Sequence, residues 1–483
     1  MRNFLWPSGV GLWLVHLACA VTPSLAGGEW TTQLYGPHQQ VATLDTDEVQ
    51  ESSGVVPSRI NADLYWTNED SGAGPRVWVF RLSLADLGAA TARNMGYIDL
   101  PGASSVDWED VANGPGDMIY LFDGGDNPPC DRTDKQIHRF SEPVIDPDGP
   151  RVSLTTSFQT MRFEYPDPGN PLQPADADDE RYDAESLLVH PVSGDIYVVT
   201  KRTTDGTPTV RVYVLPAASI AWSSGTIHVL TLVTDLTPTI QAQSTGADID
   251  ADGRRVLIRT YVAAYEFILP EGQPFDSIFE QTPQTNSLSG EPQGEGICYT
   301  PDGRDILTTS EWTPMRIYVT PWQLANVRAE SVGTVEAAIH WDTADALGSS
   351  VDYGTTTGYG DTLDDPAPVL SHAVLLTHLA PSRQYFYHVR SGSLAYPQPA
   401  DAYKVFFVTD AAVAGDLDQD GDVDQSDFGR LQACLTGPGT PQNDPACAPA
   451  RLDDDQDVDR DDSAILQGCM SGPNVPADPD CAD

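Results

Sequence analysis

Lysine is nearly absent. Three lysines stand among 483 residues, and all cationic side chains together number 26 against 71 acidic ones, a formal net charge of −45. A surface of that sign repels phosphate backbones and anionic membranes, which excludes nucleic acid as a partner. Long apolar runs are missing too. Beyond residue 26 no stretch approaches the roughly 20 apolar residues of a membrane helix, so no membrane span is expected. No CxxC or HExxH spacing occurs, which removes the common zinc sites. No GxSxG elbow occurs, which removes the usual serine esterase. Cysteine is scarce: seven in all, four of them between 434 and 483.

What is present begins with a leader. Arg2 supplies a charge, Gly11–Ala20 most of an apolar region, and Ser24-Leu25-Ala26 a small-x-small cleavage site. Residues 1–26 therefore read as a secretory signal peptide, and the remainder as secreted or held at the cell surface. Export permits disulfides. Cys434–Cys447 and Cys469–Cys481 are the expected pairs, each closing a short loop. Cys130 and Cys298 can pair only if the fold brings them together.

The most specific stretch is DLDQDGDVDQSD, Asp416–Asp427. Asp416, Asp418, Asp420, Asp424 and Asp427 occupy positions 1, 3, 5, 9 and 12 of an EF-hand-like loop. Gly421 takes the sharp turn at position 6, and Asp422 offers its carbonyl at position 7. Calcium needs six to eight hard oxygens around one point, and this spacing delivers them. Val423 at position 8 is expected to pack between paired loops, and Phe428, Leu431 and Leu435 to form a helical apolar stripe. The unit recurs 35 residues later as RLDDDQDVDRDD, Arg451–Asp462, with Asp453, Asp455, Asp457, Asp459 and Asp462 as ligand candidates. Arg451 replaces the position 1 acid and Gln456 the glycine, which should weaken or abolish the second site. The helix that follows carries Leu466, Gln467, Cys469 and Met470 where the first carries Leu431, Gln432, Cys434 and Leu435. Residues 415–483 hold 17 Asp, no Glu and three Arg, a density that calls for divalent cations or a basic partner. This duplicated loop and helix, residues 412–483, resembles a type I dockerin. The resemblance implies two calcium loops that anchor a secreted protein, often a polysaccharide-degrading one, to a cohesin partner. It also implies that positions 10 and 11 (Gln425, Ser426, Arg460 and Asp461) face that partner.

Residues 27–322 show few helix patterns and many short β-rich runs. One unit recurs five times. It opens with Ser52–Val56, Trp108–Ala112, Ala184–Val189, Gly246–Asp250 and Gly294–Tyr299, and two further apolar strands follow each opening. Turn signals such as DADG (Asp250–Gly253) and TPDG (Thr300–Gly303) separate first strands from second. A unit of three or four strands repeating at this spacing predicts a β-propeller. Five blades are visible, and a degenerate sixth has room in 141–182 or 268–292. Val41–Leu44 is expected to pair with the last unit and close the ring. First-strand entries place Glu109, Asp110, Asp183, Glu185, Asp248, Glu295 and Glu51 at one end. Neighbouring strand exits add Asn68, Asp70, Asp126, Asn127, Lys201, Arg259 and Glu311. Such a ring suits a hard cation, and Lys201 and Arg259 at its rim would hold an anionic group. Candidate catalytic residues are Glu109, Asp110, Glu185, Lys201, Arg259 and Glu295. Trp108 reads as a packing residue, and His38, His138, His190 and His228, which have no spaced partners, as structural. The motifs ESSG, NEDSG, DWEDV, DAESLL, TGAD and EPQGEGI resemble secreted bacterial propellers of the phytase-like or esterase-like kind. That resemblance implies a calcium-assisted phosphoester or ester hydrolase.

Residues 323–411 change character again. Trp341, Tyr353, Gly354, Leu379, Pro381, Tyr385, Tyr387 and Val389 resemble a fibronectin type III-like sandwich, of a size that fits one domain. Strand alternation distributes His340, His372, His378 and His388 over both faces, so no metal site is expected there. The expected fold class is mainly β and multidomain: a five- or six-bladed propeller, a fibronectin III-like sandwich, and a small α-helical calcium-loop domain. The expected function is a calcium-binding component of an extracellular assembly linked to polysaccharide breakdown. The alternative is a calcium-dependent hydrolase at the acidic mouth of the propeller.

Overall fold

Runs such as Arg255–Thr260 (RVLIRT) and Tyr182–Val189 (YDAESLLV) do not alternate between polar and apolar. Every residue of both is buried, as in strands covered on two faces. The computed structural model describes residues 31–483 except 71, 73, 84–89, 168–169, 175–180, 400–401, 403–404, 410–412, 454, 474, 476, 479–480 and 483. The expected signal peptide and the first half of the linker at 411–414 lie outside the described residues. Among the described residues the protein is mainly β, built of several sheets with two short α-helices near its C-terminus. Among the described residues no helix is long and apolar enough to cross a membrane.

Five groups of mostly antiparallel strands, labelled sheets I to V, follow one another between residues 39 and 320, and the outer strands of the first and last pair in parallel (Ala42–Leu44 with Ala90–Ala92), which joins I and V into one nine-stranded sheet. Sheet I is Ser52–Pro57, Leu64–Glu69, Arg76–Arg81 and Ala90–Asp99. Sheet II is Trp108–Gly114, Met118–Asp123, Gln136–Ser141 and Gln159–Glu164, with Ile227–Val229 added in parallel at its edge. Sheet III is Tyr182–Val189, Ile196–Thr203, Arg211–Leu215 and Thr231–Asp235. Sheet IV is Ser244–Ile249, Arg255–Thr260, Ala263–Ile268 and Gln284–Ser287. Sheet V is Gly294–Tyr299, Ile306–Ser310 and Arg316–Thr320, completed by Gln39–Leu44 from the start of the chain. The first strands touch in sequence, I to II through to V, and the first strand of sheet V touches that of sheet I. One apolar core fills each of the five gaps. Val56, Trp66 and Val111 lie between sheets I and II, and Val199, Ile258 and Phe267 between III and IV. Leu257, Ile297 and Ile306 lie between IV and V. Segment 141–182 forms a two-stranded sheet of its own, Pro166–Asp167 with Asn170–Pro174, too small for a sixth unit, and 268–292 forms none among the described residues. They supply outer strands instead: Val152–Thr155 beside sheet I, Gln159–Glu164 and Gln284–Ser287.

A further seven-stranded sheet folds around Ile339, Trp341, Val351, Tyr387 and Val389. It holds Trp322–Glu330, Ala337–Gly354, Asp361–Leu376, Gln384–Ser391, Leu394–Tyr396 and Phe406–Val408. Its remaining strand, Thr32–Tyr35, comes from the region assigned by sequence to the ring unit and pairs with Trp322–Ala325. Trp322 thus begins a strand of this unit rather than ending the preceding one. Buried polar contacts fix the crossing. Arg255 donates to Thr32 (3.2 Å), and Tyr35 and Tyr299 both donate to Glu266 (2.9 and 3.0 Å). His372 is stacked flat on Trp341 and bonded to Thr343 and Ser349, as a packing histidine would be.

Helices α1 (Gln425–Cys434) and α2 (Arg460–Cys469) each begin at a capping box. Asp424 and Asp459 are the N-caps, and Asp427 and Asp462 reach back to the N-cap amides, satisfying donors that a helix start leaves free. Disulfides Cys434–Cys447 and Cys469–Cys481 tie the last residue of each helix to the chain that follows it. Cys130 and Cys298 are buried free thiols.

Candidate functional site

Loop position in the C-terminal repeats translates directly into geometry. Asp416 accepts from the amides of Gln419, Asp420 and Gly421, which winds residues 416–421 around its carboxylate. Gly421 sits at φ +92°, a conformation that favours glycine, so position 6 is met as the spacing requires. Asp427 accepts from Leu417, Asp418 and Asp424. The carboxylates of Asp416, Asp418 and Asp427 come within 4.8 Å of one another, as do those of Asp422, Asp424 and Asp427. Asp420 is exposed and belongs to neither group. One oxygen of Asp418 is buried without a hydrogen-bond partner. Burial, then the neighbouring Asp427 and Asp420, push the Asp418 carboxyl up to about 6.

The second loop keeps part of this. Asp453, Asp459 and Asp462 converge within 4.8 Å, while Asp455 is exposed and Asp457 turns to the amide of Gly439 (2.5 Å). Arg451 cannot accept amide bonds as Asp416 does, and Gln456 does not take the left-handed backbone of Gly421. Val423, expected to pack between the paired loops, is fully buried in one apolar cluster with Val458, its counterpart in the second loop. The Val423 carbonyl accepts from the amides of Ser471 and Gly472, just beyond α2, and the Val458 carbonyl from those of Thr436 and Gly437, just beyond α1. The apolar stripe also divides: Leu431 is buried, whereas Phe428 (38% exposed) and Leu435 (48%) face outward.

The second candidate lies where the five sheets begin. Glu109 and Asp107 stand at the start of sheet II, Asp183 and Glu185 on the first strand of sheet III, and Asp70 just beyond a strand of sheet I. Carboxylate oxygens of Asp70, Asp107 and Glu109 lie within 4.8 Å of one another, and so do those of Glu109, Asp183 and Glu185. Gly125 makes room: a Cβ there would sit 2.0 Å from Glu109 Oε1. Asp183 accepts from the Asp126 amide (2.9 Å) and from Arg202 (2.7 Å). Lys201 is buried against Glu185 and also donates to Tyr261, whose hydroxyl reaches Glu295 at 3.2 Å. Burial first, then repulsion from Glu185 on Glu109 and from Glu295 on Glu185 (the latter opposed by Lys201), raises both carboxyls well above the ordinary range. Burial and neighbouring carboxylates likewise push Asp107 up to about 7 and Glu311 up to about 8.

Several predicted members stand elsewhere. Asp110 accepts from the amides of Val111 and Leu187, and Asp248 from that of Tyr299, so both knit first strands together inside the ring. Asp250, from the same turn, holds Arg255. Arg259 is not a rim cation. It is fully buried, bonded to Gly296 O and to Glu291. Lys201 is spent on Glu185 instead of facing outward. Glu51 is exposed, and Asn127 accepts from Arg202. Sequence reading missed Asp107, Tyr261 and Glu291. Asp107 immediately precedes the WED entry, and that adjacency was the available signal.

No family model matches this chain, and no curated protein matches it. Among solved structures it is similar to a computer-redesigned β-sandwich protein, 19% identical, over 18% of this chain and 92% of that one, with a TM-score of 0.14. It is also similar to a chain of a nidogen/laminin complex, 11% identical, over 54% of this chain and 73% of that one, with a TM-score of 0.27. Neither likeness carries an argument.

Proposed function

We propose that this is an exported calcium-binding protein of three parts: a five-bladed β-propeller, a fibronectin III-like spacer and a dockerin-like anchor. The anchor holds the rest in an extracellular assembly linked to polysaccharide breakdown. The observation that carries this reading is the first C-terminal loop. Asp416, Asp418 and Asp427 converge there, with a buried Asp418 oxygen left without a partner, and an all-oxygen set of that kind favours calcium. The cyclic contact of the five first strands, with an apolar core between each neighbouring pair of units, supports the propeller. The outward-facing Phe428 and Leu435 beside Gln425 and Ser426 support a docking face for a cohesin partner. The test is capture of the full chain by immobilised cohesin modules, with calcium and with chelator. Calcium-dependent capture that Asp418→Asn weakens at least tenfold is the expected result. Capture indifferent to calcium, or capture by none of the modules, removes the anchoring function.

The acidic end of the ring supports a second reading, a hydrolase assisted by a divalent cation. Glu109, Asp183 and Glu185 offer oxygen ligands beside Lys201 and Tyr261. Bound calcium would polarise a phosphoester or ester there, while Glu109 and Glu185 held it. Turnover of p-nitrophenyl phosphate or acetate by the full chain, dependent on calcium and lost in Glu109→Gln, is the expected result. Turnover that survives Glu109→Gln removes the mouth as the active site.

A further inference from the structure

Glu109 is the residue common to both acidic groups at the mouth of the ring. It is 3% exposed and faces other carboxylates, unlike Asp110 next to it, which holds two backbone amides. A carboxylate left this way is costly to bury unless it is neutralised, by a proton or by a cation. Its surroundings are acidic on two sides. Asp70 and Asp107 approach it from sheets I and II, and Asp183 and Glu185 from sheet III; each group lies within 4.8 Å, and Glu109 is common to both. Glu185 carries an orphaned oxygen there: Lys201 takes Oε1, while Oε2 is buried with no hydrogen-bond partner.

We propose that the mouth of the ring binds two divalent cations, one against Asp70 and Asp107 and one against Asp183 and Glu185, bridged by Glu109. A carboxylate has two oxygens and can serve two ions, which is how paired sites about 4 Å apart are assembled elsewhere. The donor set is all oxygen, with no histidine or cysteine in either group, so the ions are hard ones of the calcium, magnesium or manganese class. Gly125 is part of the site, because a Cβ there would fall 2.0 Å from Glu109 Oε1 and 2.6 Å from Asp107 Oδ2. The inference rests on reading the mouth as a cation site, and is independent of whether that site turns substrate over.

The test counts ions on the full chain by equilibrium dialysis with radioactive calcium. Wild type is compared with Asp107→Asn, Glu185→Gln and Glu109→Gln, all carrying the same C-terminal loops. Asp107→Asn and Glu185→Gln should each bind one ion fewer, and Glu109→Gln two fewer. One ion lost from every variant overturns the bridged pair and leaves a single-ion mouth. No loss from any variant overturns the pair and the cation reading together. Manganese spectra of the unmodified protein guard against a variant that misfolds. Paired manganese at the mouth gives a spin-coupled signal beside the six-line spectrum of isolated ions, and a six-line spectrum alone at full loading overturns the proposal.

Discussion

Asp248 is buried on the first strand of sheet IV and accepts one amide bond, from Tyr299 at 2.8 Å. Burial outweighs that bond and the nearby Arg59, and pushes its carboxyl up to about 7. In an unfolded chain the same group titrates near 3.9 (about the model-peptide value). Between those values the folded state holds a proton that the unfolded state has lost. The contribution of Asp248 is therefore present at low pH and is lost as pH rises through about 7. Asp248→Asn keeps an oxygen for the Tyr299 amide and carries no charge. Thermal melts should show the variant equal to wild type near pH 4 and more stable above pH 8. A variant less stable than wild type at both values would mean that Asp248 is ionised and stabilising in the fold. Arg259 teaches the same lesson in reverse. A cation at the end of a strand reads as a rim group, yet Glu291, 32 residues further along the chain, was already placed to receive it.

Whole elements were legible where the pattern is local. The three inner strands of each unit, both helices and both disulfide pairs follow from short-range signals: apolar runs between turns, the Asp-x-x-Asp capping spacing, and cysteines equally placed in each repeat. Outer strands were harder. Thr231–Asp235 and Gln284–Ser287 are half exposed and carry little apolar character, so nothing in them separates an edge strand from a loop. Thr32–Tyr35 could not be placed at all, since its partner lies some 290 residues away and pairing at that range leaves no trace in composition. The capping spacing has an energetic counterpart in the disulfides. Cys434–Cys447 closes a segment with a sequence separation of 13, for which the loss of chain entropy on cross-linking corresponds to about 3 kcal/mol. Replacing both cysteines by serine should lower the stability of the C-terminal repeats by that order in urea, read from the helical signal of α1 and α2. An unchanged midpoint would show that the buried set around Leu431, Val458 and Leu466 holds the repeats without the bond.

At the scale of the molecule, two cooperative bodies are expected. Thr32–Tyr35 leaves the ring to join the sheet of Trp341, and Arg255, Glu266, Tyr35 and Tyr299 lock the crossing, so the ring and that seven-stranded sheet should unfold together. The C-terminal repeats have a separate core in Val423, Leu431, Val458 and Leu466 and should unfold on their own. Calorimetry of the full chain should then show two transitions, both lowered by chelator but for unrelated reasons. In the repeats, Asp418→Asn should abolish the rise that calcium gives to one transition and leave the other untouched. In the ring, Glu109→Gln removes a carboxylate repelled by Glu185, Asp70 and Asp107, so in chelator it should raise the larger transition above wild type. The opposite sign in calcium, with Glu109→Gln below wild type, would follow from the loss of a ligand. A larger transition that ignores chelator in the wild type and falls in Glu109→Gln under both conditions would mean that Glu109 is held by the fold itself. The charge of −45 would then be neutralised in the repeats alone.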